Sequence, residues 1–137
     1  MLLTFKKLEH LKSRKSINLL ITEGNAFVVF PIKTRWIIVS EAQEVSVKCA
    51  FSVPKRKFKK AVDRNYIKRI MREAYRLNKE NLLTLFNNKD QKLHLLLTFI
   101  GDEMLNYKEI ESKIILTLQR LIKINEKNIN SNSDTVS

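Results

Sequence analysis

The clearest pattern along the chain is a strict alternation over residues 45–53, where Val45, Val47, Cys49, Phe51 and Val53 interleave with Ser46, Lys48, Ala50 and Ser52. A period of two puts one set on a packed face and the other on a face that stays partly polar, so this segment is predicted to be a strand. Just downstream, the spacing over residues 60–78 predicts a long helix, and residues 93–100 then read as a buried strand. Strand, helix, strand in that order suggests a parallel crossover. The stretch between, residues 81–90, is left without an assigned element.

Upstream, Ile17, Leu20 and Ile21 give residues 13–23 helical spacing, and Gly24 follows where a helix would need a left-handed residue to stop. Residues 26–32 and 35–39 are rich in Val, Ile, Phe and Trp, and Pro31 argues for an edge position or a break, so two short strands are expected. The last helix starts near Asn106, whose side chain can cap it while Glu109 reaches back. Ile110, Ile114, Leu118, Leu121 and Ile122 supply its core stripe. Residues 125–137, NEKNINSNSDTVS, have little to bury and are expected to form a disordered polar tail. The reading is an α/β (α+β) two-layer sandwich over residues 1–124, with about four strands and three helices.

Composition narrows the function. The chain has 137 residues, 44% of them hydrophobic, with two Gly and two Pro, enough for one modest core. Twenty-six Lys and Arg oppose fourteen Asp and Glu, a net charge of +12 that calls for a polyanionic partner. No apolar run approaches the roughly 20 residues of a spanning helix. The short patch 1–5 is followed at once by Lys6 and Lys7, the wrong order for a secretory signal, so a cytoplasmic protein is expected. Cys49 is the sole cysteine, which excludes an internal disulfide and a Cys-based zinc site, and it is expected as a small core residue. His10 and His94 are the only histidines and stand far apart in sequence, so neither a metal site nor a Ser/His centre is predicted, and no catalytic side chain is assigned.

The charge is concentrated. Residues 55–76 hold ten basic residues and two acidic ones, Asp63 and Glu73, and so eight of the twelve net charges. At about 100° per residue, Arg64, Asn65, Lys68, Arg69, Arg72 and Arg76 share one arc, and Ile67, Met71, Ala74, Ile70, Leu77 and Tyr66 the other. A merely solvated face would intersperse acids at i±4, yet Arg64, Lys68 and Arg72 follow one another at that spacing and repel. Before the helix, Lys55, Arg56, Lys57, Lys59 and Lys60 form a cationic loop running into a helix N-terminus, where free N–H groups also favour anions. Together they make a phosphate track.

Other readings share that track. A ribosomal or general RNA-binding protein would carry the same helix. A self-sufficient nuclease needs clustered carboxylates holding two ions roughly 4 Å apart, whereas Asp63 and Glu73 lie ten residues apart and suit a first-turn acid and an intrahelical partner for Arg69, Arg72 or Arg76.

The segment FSVPKRKFKKAVDRNYIKRIMREAYR, residues 51–76, resembles the protein component of bacterial ribonuclease P: a strand ending in Ser-Val, a Lys-rich loop, Ala-Val, then an Arg-Asn-Arg motif followed by Ile-Lys-Arg and Arg-Glu. By position, Arg64 and Asn65 fill the first two places of that motif, with Lys68, Arg69 and Arg72 behind it. LKSRKSINLLITEG (11–24) and NYKEIESKIILTLQRL (106–121) look like the family's first and last helices. The resemblance implies a left-handed strand-helix-strand crossover and a division of labour. The basic loop and helix would lie on the ribonuclease P RNA, a cleft between first helix and sheet would hold the single-stranded leader of precursor tRNA, and Mg2+ bound mainly by RNA would activate the attacking water. Tyr66 stands where the family has a second Arg, at the edge of the apolar arc, and is expected to pack. Ile17 and Ile21 replace aromatics often found on the family's first helix, so Phe27, Phe30 and Trp36, with Lys48 and Ser52, are the candidates to line the cleft.

Overall fold

The alternating segment forms β3 (Val47–Ser52), in which Val47 and Cys49 are buried while Lys48 and Ala50, alternating with them, are partly exposed. It lies in a computed structural model that describes residues 4–40, 45–87 and 90–136. Ahead of it come a 3-10 turn (Lys7–Glu9), α1 (Arg14–Glu23), β1 (Asn25–Val29) and β2 (Ile32–Val39); after it come α2 (Ala61–Asn78), α3 (Glu80–Phe86), β4 (Lys92–Phe99) and α4 (Tyr107–Val136). The sheet runs in the order β1-β2-β4-β3, with β1–β2 and β2–β4 antiparallel and β3–β4 parallel. The parallel pair, joined through α2 and α3, is the expected crossover, and the whole is an α+β fold. No helix among the described residues is long and apolar enough to cross a membrane.

Strand alternation gives the sheet two unlike faces. One carries Ile32, Trp36, Val47, Cys49, Leu93, Leu95, Leu97 and Phe99, which share the main core with Ile67, Met71, Ala74 and Tyr75 of α2 and Ile110, Ile114, Leu118 and Leu121 of α4. The other is only partly covered. There Leu20 of α1 and Leu11 close over Leu96, with Ile17, Ile37 and Ala50 at the margin. By the pairing register, Lys33 sits beside Thr98 and Thr98 beside Ser52 on this same side, with Arg35 next to Leu96 and Lys48 next to His94.

Several local expectations change. Gly24 ends α1 at φ −70°, ψ 156°, an extended rather than left-handed conformation. Glycine is needed there because a Cβ would lie 2.4 Å from the Leu20 carbonyl oxygen, which accepts the Gly24 N–H. Phe30 and Pro31 form a tight hairpin turn with a cis peptide between them, so Ile32 opens β2 instead of closing β1. Residues 80–86 form α3, anchored by buried Leu82 and Phe86. Asn106 caps α4 as expected, its Oδ1 accepting from Glu109 N at 2.9 Å. That helix runs on through the segment expected to be a disordered tail. Asn125, placed at the start of that tail, is buried and donates through Nδ2 to Leu121 O at 2.9 Å. Ile122 and Ile124 also pack against the main core, so the buried side of α4 continues up to Asn125.

Candidate nucleic-acid interface

The cationic loop is built from its own turn outward. Lys57 N and Phe58 N both donate to Pro54 O, and the Phe58 ring enters the core, 5.9 Å from that of Phe99. With this anchor inside, Lys55, Arg56, Lys59 and Lys60 project into solvent. Two latches hold the loop. Arg64 Nη1 donates to Phe58 O at 2.7 Å and Lys59 O at 2.8 Å, and Lys57 Nζ bonds Asp102 Oδ1 at 2.6 Å. Lys60 is the N-cap of α2 and no side chain caps that end, so its first N–H groups sit beneath the loop cations.

Along α2, Ile67, Ile70, Met71, Ala74 and Tyr75 are the buried positions. Tyr75, outside the arc predicted to pack, is covered because Phe5 and Phe51 meet its ring edge-on at 5.6 and 5.7 Å. This extra contact turns the exposed sector of α2 away from Arg64 and Lys68, which are partly buried, toward Asn65, Arg69 and Arg72, which are exposed. His10, which bridges to Cys49 of β3, has its pKa lowered mainly by burial and further by the Arg72 charge. Glu73 takes Arg76, at 2.5 and 3.0 Å, and this bond holds the Glu73 carboxyl below its ordinary pKa. The ion pairs among the described residues are Lys57–Asp102, Arg76–Glu73 and Lys79–Glu9. Lys55, Arg56, Lys59, Lys60, Lys68, Arg69 and Arg72 therefore hold no internal acidic partner on one loop-and-helix surface, and Arg64 keeps its charge because its acceptors are neutral carbonyls.

The ribonuclease P family model matches residues 5–121. The chain belongs to the ribonuclease P protein family. The ribonuclease P protein component of Porphyromonas gingivalis is 34% identical over 115 residues, covering 84% of each chain. That of Chlorobaculum tepidum is 54% identical over 46 residues, 34% of this chain and 29% of its own. The fold is similar to those of the ribonuclease P proteins of Staphylococcus aureus (TM-score 0.64, 18% identity, 85% of this chain and 94% of the other) and Thermotoga maritima (TM-score 0.64, 19% identity, 82% and 96%). The protein is thus an RNA-binding subunit of a tRNA-processing endoribonuclease.

Against this ribonuclease P fold the predicted site residues separate. Lys55, Arg56, Lys59, Lys60, Asn65, Lys68, Arg69 and Arg72 come together on one surface. Arg64, Lys57 and Arg76 belong to it in sequence but hold internal partners. The cleft assignment changes more. Phe27 and Trp36 are 8% and 6% exposed and lie in the main core, on the sheet face away from α1. Arg120 of α4 covers Phe27, 4.6 Å above its ring. The cause is register: Phe27 pairs with Thr34, on the same side as Ile32 and Trp36. Phe30, 63% exposed, borders a hollow of about 310 Å3 at the hairpin end with Pro31, Phe99 and Gly101. Lys48 and Ser52 do lie on the open face beside α1. Lys33 and Arg35 share that side and were missed, although their alternation with Ile32, Thr34 and Trp36 could have identified them. Tyr66, expected to pack, is exposed.

Proposed function

We propose that the loop 55–60 and the exposed sector of α2 bind the ribonuclease P RNA, and that the open sheet face beside α1 receives the 5′ leader of precursor tRNA. The observation that carries this reading is the set of seven cations on one continuous surface that hold neither an acidic partner nor a carbonyl latch. Such a set is unfavourable in isolation and becomes favourable when phosphates displace its counterions. Asn65, exposed among them, offers an amide donor to a phosphate oxygen or sugar hydroxyl.

For the leader, Lys33, Arg35 and Lys48 provide positive charge along the sheet, with Ser52 and Thr98 as hydrogen-bonding groups. Ile17 and Ile21, successive on one side of α1, form an aliphatic wall. Without an aromatic there, the leader is held by its backbone more than by stacked bases. Mg2+, held mainly by the RNA, would supply the chemistry of phosphodiester hydrolysis when bound. The work of this chain is to bind and orient, and its place of action is the cytoplasm.

The test is reconstituted cleavage of a precursor tRNA by a bacterial ribonuclease P RNA at low magnesium, with wild-type protein and with Lys68→Ala/Arg72→Ala. The wild type is expected to stimulate cleavage and the double variant to do so at least about tenfold less, since two phosphate contacts are lost. Equal stimulation by the variant would remove this face from the assembly. No stimulation by wild type that still binds RNA would remove the processing role.

A further inference from the structure

The surface of α2 carries a feature that phosphate binding leaves unused. Val62 and Tyr66 are 72% and 43% exposed and lie one helical turn apart, so they are surface neighbours. Arg69, three residues beyond Tyr66 and also exposed, stands next on the same side, and Lys59 precedes Val62 in the loop. The helix does not bury this pair because its packed sector, Ile67, Ile70, Met71, Ala74 and Tyr75, is centred elsewhere. A large aromatic and a β-branched residue held in water beside unneutralised cations form a small apolar platform with a positive rim.

We infer that Tyr66 is a stacking platform for one unpaired nucleobase of the bound RNA, with Val62 extending the platform and Arg69 holding a phosphate of the same strand. This rests on the RNA-binding reading above. The charge selects the occupant: a nucleotide offers an apolar π face and an anionic phosphate together, matching a ring bordered by Arg69, whereas a purely aliphatic partner would have to desolvate the cations. The base must be unpaired, since only a base outside a duplex exposes its face.

The test measures binding of the full chain to a transcribed bacterial ribonuclease P RNA, and to its complex with precursor tRNA, across a salt series. Tyr66→Ala and Tyr66→Leu are expected to weaken one of these by about 5- to 100-fold, the range for loss of one base–aromatic stack. Tyr66→Phe and Tyr66→Trp should bind within about twofold of wild type, because the π face is kept. The salt slope should stay unchanged in all four, whereas Arg69→Ala should lower it by about 0.7 to 0.9. Thermal unfolding of the Tyr66 variants should match wild type, given the exposure of the ring. Binding by Tyr66→Leu equal to that of wild type in both assays would show that the ring is not stacked on a base and overturn the inference. Should wild type itself ignore RNA, the RNA-binding reading fails and this inference with it; wild-type binding with indifferent Tyr66 variants sinks the inference alone.

Discussion

The most consequential single contact outside the interface is the buried pair of Lys79 and Glu9, with Nζ 2.5 Å from Oε1 and both side chains under 10% exposed. Both members have further partners: Lys79 also donates to the Thr4 carbonyl and lies 5.5 Å from the Phe5 ring centroid, while Glu9 Oε2 accepts from Lys6 N at 2.7 Å. The pair fastens the N-terminal segment over the α2–α3 junction, and Phe5 there covers Tyr75. Removing one member leaves a buried charge with no counterpart, so Lys79→Met is expected to cost about 3 to 5 kcal/mol in urea unfolding, with Glu9→Gln/Lys79→Met recovering part of that loss. A cost under about 1 kcal/mol for the single variant would show that the pair contributes little. Nothing at the residue level announced this contact. Glu9 and Lys79 are separated by 70 positions, and charged residues are rarely buried without a partner that only folding can deliver.

At the scale of elements, the interface depends on a loop and a helix being fixed to one another. Arg64 does this by donating to two loop carbonyls from one nitrogen. Its role is therefore to position the loop as much as to meet phosphate. Arg64→Ala is expected to accelerate amide exchange over residues 57–63 by about 5- to 100-fold, since a hydrogen bond from a charged donor contributes about 1.5 to 3 kcal/mol and this one is partly exposed. Arg72→Ala, which removes equal charge from the same helix, should leave that exchange unaltered. Identical exchange in the two variants would mean the latch is absent in solution. The positions of α2, β3, β4 and α1 were legible in advance because each has a strong period and one dominant buried face. α3 was not, because two anchoring residues in a seven-residue helix are too few to set a period.

For the whole molecule, the relevant quantity is the number of cations left after internal pairing. Ten basic residues fall in residues 55–76, but Lys57 and Arg76 are spent on ion pairs and Arg64 on the loop. If the other seven each meet a phosphate, log affinity for RNA should fall by about 5 to 6 per decade of salt. A slope near 2 would mean that most of this surface faces solvent in the complex. The measurement needs only filter binding from dilute to physiological salt.

The amino-acid order alone determined the strand-helix-strand core, the position of the first and last helices, the family and the density of positive charge, because these depend on local periodicity and on counting. Tertiary structure decided which side of each element faces what. The side of the sheet taken by Phe27 and Trp36 follows from hairpin register, and the rotation of α2 that buries Tyr75 and leaves Tyr66 in water follows from the packing of Phe5 and Phe51. Both are set by contacts between segments distant in sequence, where a shift of one residue in register or a few tens of degrees in helix rotation exchanges a core side chain for a surface one.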